Sequence, residues 1–380
     1  MLTAQTVPRV LIVTNDFPPR VGGVQQYVSN LARHLPPECV AVLAPNWDGW
    51  REHDAEQPFP VHRWPARFLW PTRDLGRRAL SLAREHQADV VLFGHGLPAP
   101  LIGPEISARG YPYVVLTHGT ELWLARSPVL AAAMRRAMSE ARAVTAVSEY
   151  LARAVRRITP EGVAVTVLHP GVDARRFGPA IEGAGVRERH GLQGKAVILC
   201  VSRLVPRKGQ DVLIRGMEQL RRSVPDATLL IVGDGPYRVT LETLAAEAPS
   251  GSVIFAGQVP DHDLPAHYAA CDVFAMPCRT RWAGLEVEGF GIVFLEAAAG
   301  GKAVVAGRSG GAAEAVVDEE TGLLVEGAEH KAVALTLVRL LTDPGFRGTL
   351  GGAGRGRVER FFTWERQAER LAELLRQAAG

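Results

Sequence analysis

The chain has 380 residues, 47% of them hydrophobic and 22% charged. That is the composition of a soluble globular protein, and too much chain for one ordinary domain. The net charge of +3 is too weak to argue for nucleic acid, which is not expected as a partner.

Short apolar runs alternate with amphipathic stretches of helical period. Strands are expected at 10–14, 40–44, 90–94, 113–117, 143–147 and 163–168, with helices at 24–35, 74–86, 127–141 and 150–157 between them. Near-continuous Val, Leu and Ile in these runs signals strands covered on both faces, hence a parallel sheet. The region 177–194 is rich in Gly and charge and lacks strong periodicity, so a domain boundary is expected near residue 180. The pattern then restarts, with strands expected at 197–202, 228–233, 253–256, 273–276 and 303–306. The expected helices are 209–222, 237–246, 262–270, 292–299 and 329–341, with a last helix at 363–379. Strand–helix alternation repeated twice predicts an α/β protein of two doubly wound, Rossmann-like domains, whose ligands bind where strands end. The chemistry is therefore expected in the loops after strands, facing a shared central cleft.

The N-terminal residues show no basic stretch followed by an apolar core, and no apolar run reaches membrane-spanning length. Cys39, Cys200, Cys271 and Cys278 form no C-x-x-C pair, which points to a reducing compartment without a disulfide framework or zinc site. A cytoplasmic location follows as an expectation, and it leaves room for contact with the cytoplasmic face of a membrane.

Four post-strand segments carry chemistry. The loop from Asn15 to Gln26 contains Gly22 and Gly23 at a helix start, where backbone amides can approach a ligand closely, and Gln25 and Gln26 suit a polar one. Thr117-His118-Gly119-Thr120-Glu121 places a histidine at a strand end, and His95-Gly96 is a weaker instance. In Ser202-Arg203-Leu204-Val205-Pro206-Arg207-Lys208-Gly209, Arg203 and Lys208 can clamp a diphosphate. Only four of the 43 basic residues are lysines, so one inside a motif stands out. In the stretch from Glu286 to Ala297, Gly289 and Gly291 precede a helix whose free amides can bind phosphate. Glu288 and Glu296 there can accept hydrogen bonds from sugar or ribose hydroxyls. A carboxylate two turns inside an apolar helix is costly without such a partner.

Asp261-His262-Asp263 has the D-x-D form of a metal motif, but Asp at a turn opening a helix reads first as a cap. Arg63-Trp64-Pro65-Ala66-Arg67-Phe68-Leu69-Trp70, with Arg73, Arg77 and Arg78, mixes aromatics and arginines as an anionic membrane surface would favour, and equally as a half-buried loop beside a solvated helix face would.

Together these motifs resemble glycosyltransferase family 4 of the GT-B fold, along nearly the whole chain. The resemblance is carried by Gly22-Gly23, His118-Gly119, Val147-Ser148, Pro170-Gly171-Val172-Asp173, the Ser202–Gly209 loop, Val232-Gly233-Asp234-Gly235-Pro236, and Glu288 with Glu296 as the E-x7-E pattern. Asn15–Gly23, Ser202–Asp211 and Phe274–Glu296 look most like GDP-mannose-dependent phosphatidylinositol mannoside mannosyltransferases. Thr120 stands where that branch carries a second histidine. The resemblance implies an acceptor-side domain at 1–180, a nucleotide-sugar-binding domain at 181–362, and a C-terminal helix, 363–380, crossing back to the first. It implies that Arg203 and Lys208 bind the donor diphosphate, with Gly22 and Gly23 lining the diphosphate side. Glu288 would hold the donor sugar beside the amides of Gly289, Phe290, Gly291 and Ile292, Glu296 would hold the ribose, and His118 would stand beside the reacting sugar. The expected activity is retaining hexosyl transfer, with mannose from GDP-mannose, to a sugar, inositol or glycolipid acceptor. No metal or other cofactor is expected. The rivals are a UDP-sugar-dependent transferase with a small soluble acceptor and a non-catalytic nucleotide-sugar-binding protein.

Overall fold

A computed structural model describes residues 2–380, apart from the side chain of Leu122. The chain divides into two compact units, one of Met1–Gly171 with Trp364–Gly380 and one of Val172–Thr363. The division falls at 171/172 rather than near 180, and the stretch 177–194 contains a short helix, Ala184–Arg189.

The first unit is built on β1 (Val10–Val13), β2 (Val40–Pro45), β3 (Val61–Trp64), β4 (Val90–Phe93), β5 (Tyr113–Thr117), β6 (Ala143–Ala146) and β7 (Ala164–Val167). They form one parallel sheet in the order β3-β2-β1-β4-β5-β6-β7. β1, β2, β4, β5 and β6 are buried throughout, as their unbroken apolar runs require. β3 was not expected as a strand. It is an edge strand, half-buried along its length, and its sequence Val61-His62-Arg63-Trp64 carries no apolar run.

The second unit is built on β8 (Ala196–Val201), β9 (Ala227–Val232), β10 (Val253–Gly257), β11 (Val273–Met276), β12 (Ala303–Gly307) and β13 (Leu323–Val325). Their order is β10-β9-β8-β11-β12-β13, again parallel. In both sheets the strand order reverses beside the first strand, between β1 and β4 and between β8 and β11. Such a switch point leaves a crevice outside the strand ends, where open α/β sheets bind ligands.

The sequence also hid the helix Pro344–Phe361, which contains six glycines, each about 1 kcal/mol less favourable than alanine in a helix interior. Packing explains it. Gly351 lies so close to the backbone of Gly301 that a Cβ there would collide with the Gly301 carbonyl. The Asp343 carboxylate caps the first turn by accepting from Phe346 N at 2.8 Å. The last helix, Trp364–Ala379, buries Leu371, Ala372 and Leu375 in the first unit. Its Trp364 ring lies 6.1 Å from that of Tyr27, and Arg370 donates to Val167 O at 3.1 Å.

Candidate active site

At the switch point of the second sheet, the loop after β8 meets the loop after β11. Gly209 links the Pro206–Lys208 turn to the helix Gln210–Ser223, with a left-handed φ of 79°, and a Cβ there would collide with the Pro277 carbonyl, so no side chain fits. This turn delivers Lys208 and Arg207 onto one oxygen of Glu288: Lys208 Nζ lies 2.6 Å and Arg207 Nη1 2.8 Å from Oε2. Glu288 is 6% exposed. Burial pushes its carboxyl up, but the charges of Lys208 and Arg207 outweigh burial and hold it below the ordinary glutamate value. Its backbone is pinned as well, since Glu288 N donates to Ser309 Oγ at 3.3 Å and Gly311 N donates to Glu288 O at 2.9 Å. Arg203 is exposed and its side chain has no partner among the described residues, as a ligand-reaching cation would. Arg207 was quoted within the motif but not singled out, and spacing alone does not separate it from a solvated neighbour.

Gly291 begins the helix Ile292–Ala299 with no side-chain cap, which leaves first-turn amides for a ligand. Phe290 offers only its backbone, because its ring is 2% exposed and packs 5.6 Å from that of Phe362. Glu296, two turns inside, does have a protein partner: Tyr268 donates its hydroxyl to Oε2 at 2.5 Å. The cost of burying this carboxylate is thus partly met within the protein rather than by a ligand alone. Burial pushes its pKa up to about 7, against the pull of the Tyr268 hydrogen bond and Arg176.

At the first sheet's switch point, the loops after β1 and β4 meet. Asn15, 2% exposed, accepts from Leu69 N at 2.6 Å, and its Nδ2 lies 3.3 Å from His95 Nε2. His95 is 8% exposed, and burial, reinforced by the charge of His118, depresses its pKa to about 4. Its Nδ1 has no hydrogen-bond partner among the described residues and lies 3.7 Å from Asp16 Oδ2. Burial raises the Asp16 carboxyl, opposed by Arg20 and His118. Gln25, expected to face a ligand, instead donates to Asp16 Oδ1 at 2.5 Å and is 5% exposed, while Gln26 is exposed. Gly22 and Gly23 begin the helix Gly23–Arg33 without a side-chain cap.

His118 follows β5. Its Nε2 donates to Gly94 O at 2.8 Å, since a carbonyl can only accept, so that ring nitrogen carries a proton. Tyr27 packs edge-on at 5.2 Å. Glu121, not singled out from sequence, organises this corner: its carboxylate accepts from the amides of Gly119 at 2.8 Å, His118 at 3.1 Å and Gly96 at 3.3 Å, and it is 2% exposed. It ties the loop after β5 to the loop after β4.

Of two surface motifs, the first departs from the expected helix cap and the second divides between interior and surface. Asp261 and Asp263 make no side-chain helix cap; they pair with Arg176 at 2.7 Å and Arg189 at 3.4 Å. Among the described residues no group of three or more His, Cys, Asp or Glu is placed to hold a metal ion. In the Arg- and Trp-bearing stretch, Arg63 is internal, with its guanidinium on Asp54 at 2.6 and 2.8 Å and on the Pro18 and Pro45 carbonyls. Arg67 pairs with Asp48, Arg77 with Asp74 and Arg78 with Glu85, all at the surface, and Trp70 is 63% exposed. No helix among the described residues is long and apolar enough to cross a membrane. The four cysteines are free and buried.

Residues 186–357 match the family described as glycosyl transferases group 1, and residues 21–176 match glycosyltransferase family 4. The chain is 44% identical, over 96% of its length and 98% of the relative's, to the GDP-mannose-dependent alpha-(1-6)-phosphatidylinositol monomannoside mannosyltransferase of Mycolicibacterium smegmatis. It is 40% identical, over 97% of both chains, to the enzyme of Corynebacterium glutamicum named for the monoacylated form of that acceptor. The crystal structure of Anabaena HepE in complex with UDP has the same fold, with a TM-score of 0.83 at 21% identity over 97% of this chain and 99% of that one.

Proposed function

This chain belongs to glycosyltransferase family 4, with the two Rossmann-like folds of GT-B, and from that premise we propose that it transfers mannose from GDP-mannose to a phosphatidylinositol mannoside. It is a hexosyltransferase; the donor base, the sugar and the acceptor are the proposed part. The observation that carries the reading is the Glu288 cluster, a buried carboxylate held by Lys208 and Arg207 through Oε2 alone. Oε1 accepts no hydrogen bond among the described residues and is not sealed from solvent, so it can take a sugar hydroxyl.

As the bond from C1 to the phosphate oxygen breaks, negative charge grows on the leaving diphosphate. Arg203, Lys208 and the first-turn amides at Gly291 and Ile292 supply fixed positive potential where that charge develops, so the reaction runs without a metal. Glu296 holds the ribose. The acceptor oxygen attacks C1 from the face the diphosphate leaves, and a phosphate oxygen takes the acceptor proton, which retains the anomeric configuration. On the first unit, His118, fixed by Gly94 O and Glu121, is assigned to the reacting sugar and Asp16 with His95 to the acceptor side. An acceptor with a lipid anchor has to be met at a membrane surface, and exposed Trp70 with Arg67, Arg73 and Arg77 suits an anionic one.

Purified protein incubated with radiolabelled GDP-mannose and a phosphatidylinositol monomannoside should yield a dimannosylated lipid with α-linked product. Transfer from UDP-glucose with none from GDP-mannose would overturn the donor assignment, and donor turnover with soluble acceptors only would overturn the lipid one.

A further inference from the structure

Tyr268 lies in the helix Leu264–Ala270 and is 1% exposed. Its ring is boxed by Phe177 at 5.4 Å, edge-on, and by Phe274 at 5.6 Å, which in turn packs at 6.1 Å on Phe294, inside the helix that carries Glu296. A phenylalanine would fill such a box without burying a hydroxyl. The hydroxyl there has one polar partner among the described residues, Glu296 Oε2 at 2.5 Å. Glu296 is 8% exposed, and its Oε1 accepts no hydrogen bond among the described residues without being a sealed orphan. The carboxylate is therefore held by one oxygen and open at the other, as Glu288 is.

We propose that Tyr268 is a positioning residue for nucleoside recognition, whose hydroxyl locks Glu296 so that Oε1 faces the ribose hydroxyls of the donor. This rests on the assignment of Glu296 to the ribose given above. The lock has an electrostatic side. The charged groups acting on Glu296 are Arg176 and Asp261, which pair with each other at 2.7 Å and so largely cancel; the thiols of Cys200 and Cys271 act on Tyr268. Burial and the Glu296 charge hold the Tyr268 hydroxyl well above 10, so it stays a donor at every working pH. Its hydrogen bond favours the ionised carboxylate, against burial, which pushes Glu296 up to about 7. Ribose hydroxyls donate best to the ionised form, so nucleotide affinity rises with pH through that range.

The test is GDP affinity by calorimetry from pH 5.5 to 8.5, with inorganic diphosphate as the ribose-free control, for the wild type, Tyr268→Phe and Glu296→Gln. In the wild type GDP binding should strengthen through about pH 7. Tyr268→Phe should weaken GDP roughly tenfold at neutral pH, the worth of one hydrogen bond to a charged group. It should also move the limb to higher pH and raise the donor KM with little change in kcat. Glu296→Gln should bind GDP weakly with no limb, and diphosphate should bind all three alike. Wild-type GDP affinity and an unmoved limb in Tyr268→Phe would overturn the positioning role, as would loss of diphosphate binding, which signals a collapsed site. A wild type without a limb overturns it even if Tyr268→Phe does not fold. Wild-type GDP binding by Glu296→Gln would instead remove the ribose assignment beneath it.

Discussion

The Lys208 ammonium lies 2.6 Å from Glu288 Oε2, although the two residues are 80 positions apart in the chain. Arg207 shares that oxygen at 2.8 Å, so the glutamate charge is offset twice. Lys208→Ala and Arg203→Ala should each lower kcat/KM by about 10² or more, since removing one fixed donor to transition-state charge costs roughly 3 kcal/mol. Arg207→Ala should cost less turnover, because Lys208 still holds Glu288. Steady-state kinetics on folded variants decides, and near-wild-type turnover in both Lys208→Ala and Arg203→Ala would remove the diphosphate clamp.

The first unit should lose stability in acid through His95. Its folded pKa of about 4 lies below the ordinary 6.5, so between these values the unfolded chain binds more protons and stability falls as pH falls. The full effect is on the order of 3 kcal/mol. Denaturant unfolding at pH 7.5 and pH 4.5 should show it, and His95→Asn should flatten the difference. An equal acid loss in the variant would assign it to other groups.

Turnover should persist in excess EDTA if, as proposed, Arg203, Lys208 and the amides at the start of Ile292–Ala299 supply the positive potential. Loss of activity that Mg²⁺ or Mn²⁺ restores would show that a metal takes part and reopen Asp261 and Asp263 as its ligands.

Vesicle binding should require anionic lipid and weaken steeply with ionic strength, each basic residue at the surface being worth about 1 kcal/mol. Arg67, Arg73, Arg77 and Arg78, changed together to Gln, should weaken it without altering donor hydrolysis by water. Arg63 is left out because its guanidinium is spent inside the protein. Co-sedimentation at low salt reads the effect, and no association with anionic vesicles would shift the acceptor assignment to a soluble sugar or inositol.

Much of this was legible in the amino-acid sequence. Buried parallel strands must be apolar on both faces, so β1, β5, β8 and β11 announce themselves, and their C-terminal loops hold Gly22, His118, Lys208 and Glu288 in turn. β3 did not, because an edge strand needs only partial cover, and Pro344–Phe361 did not, because its glycines serve a helix contact invisible in one dimension. Which side chain answers which was decided by tertiary structure alone. The crossovers that seat β4 beside β1 and β11 beside β8 bring Asn15 to His95 and Arg207 and Lys208 to Glu288, while a separate helix brings Tyr268 to Glu296. A sequence states the charge and period of each segment. A buried carboxylate's partner is set by whatever the fold packs within 3 Å of it, and desolvation makes that partner, rather than the motif, decide its ionisation.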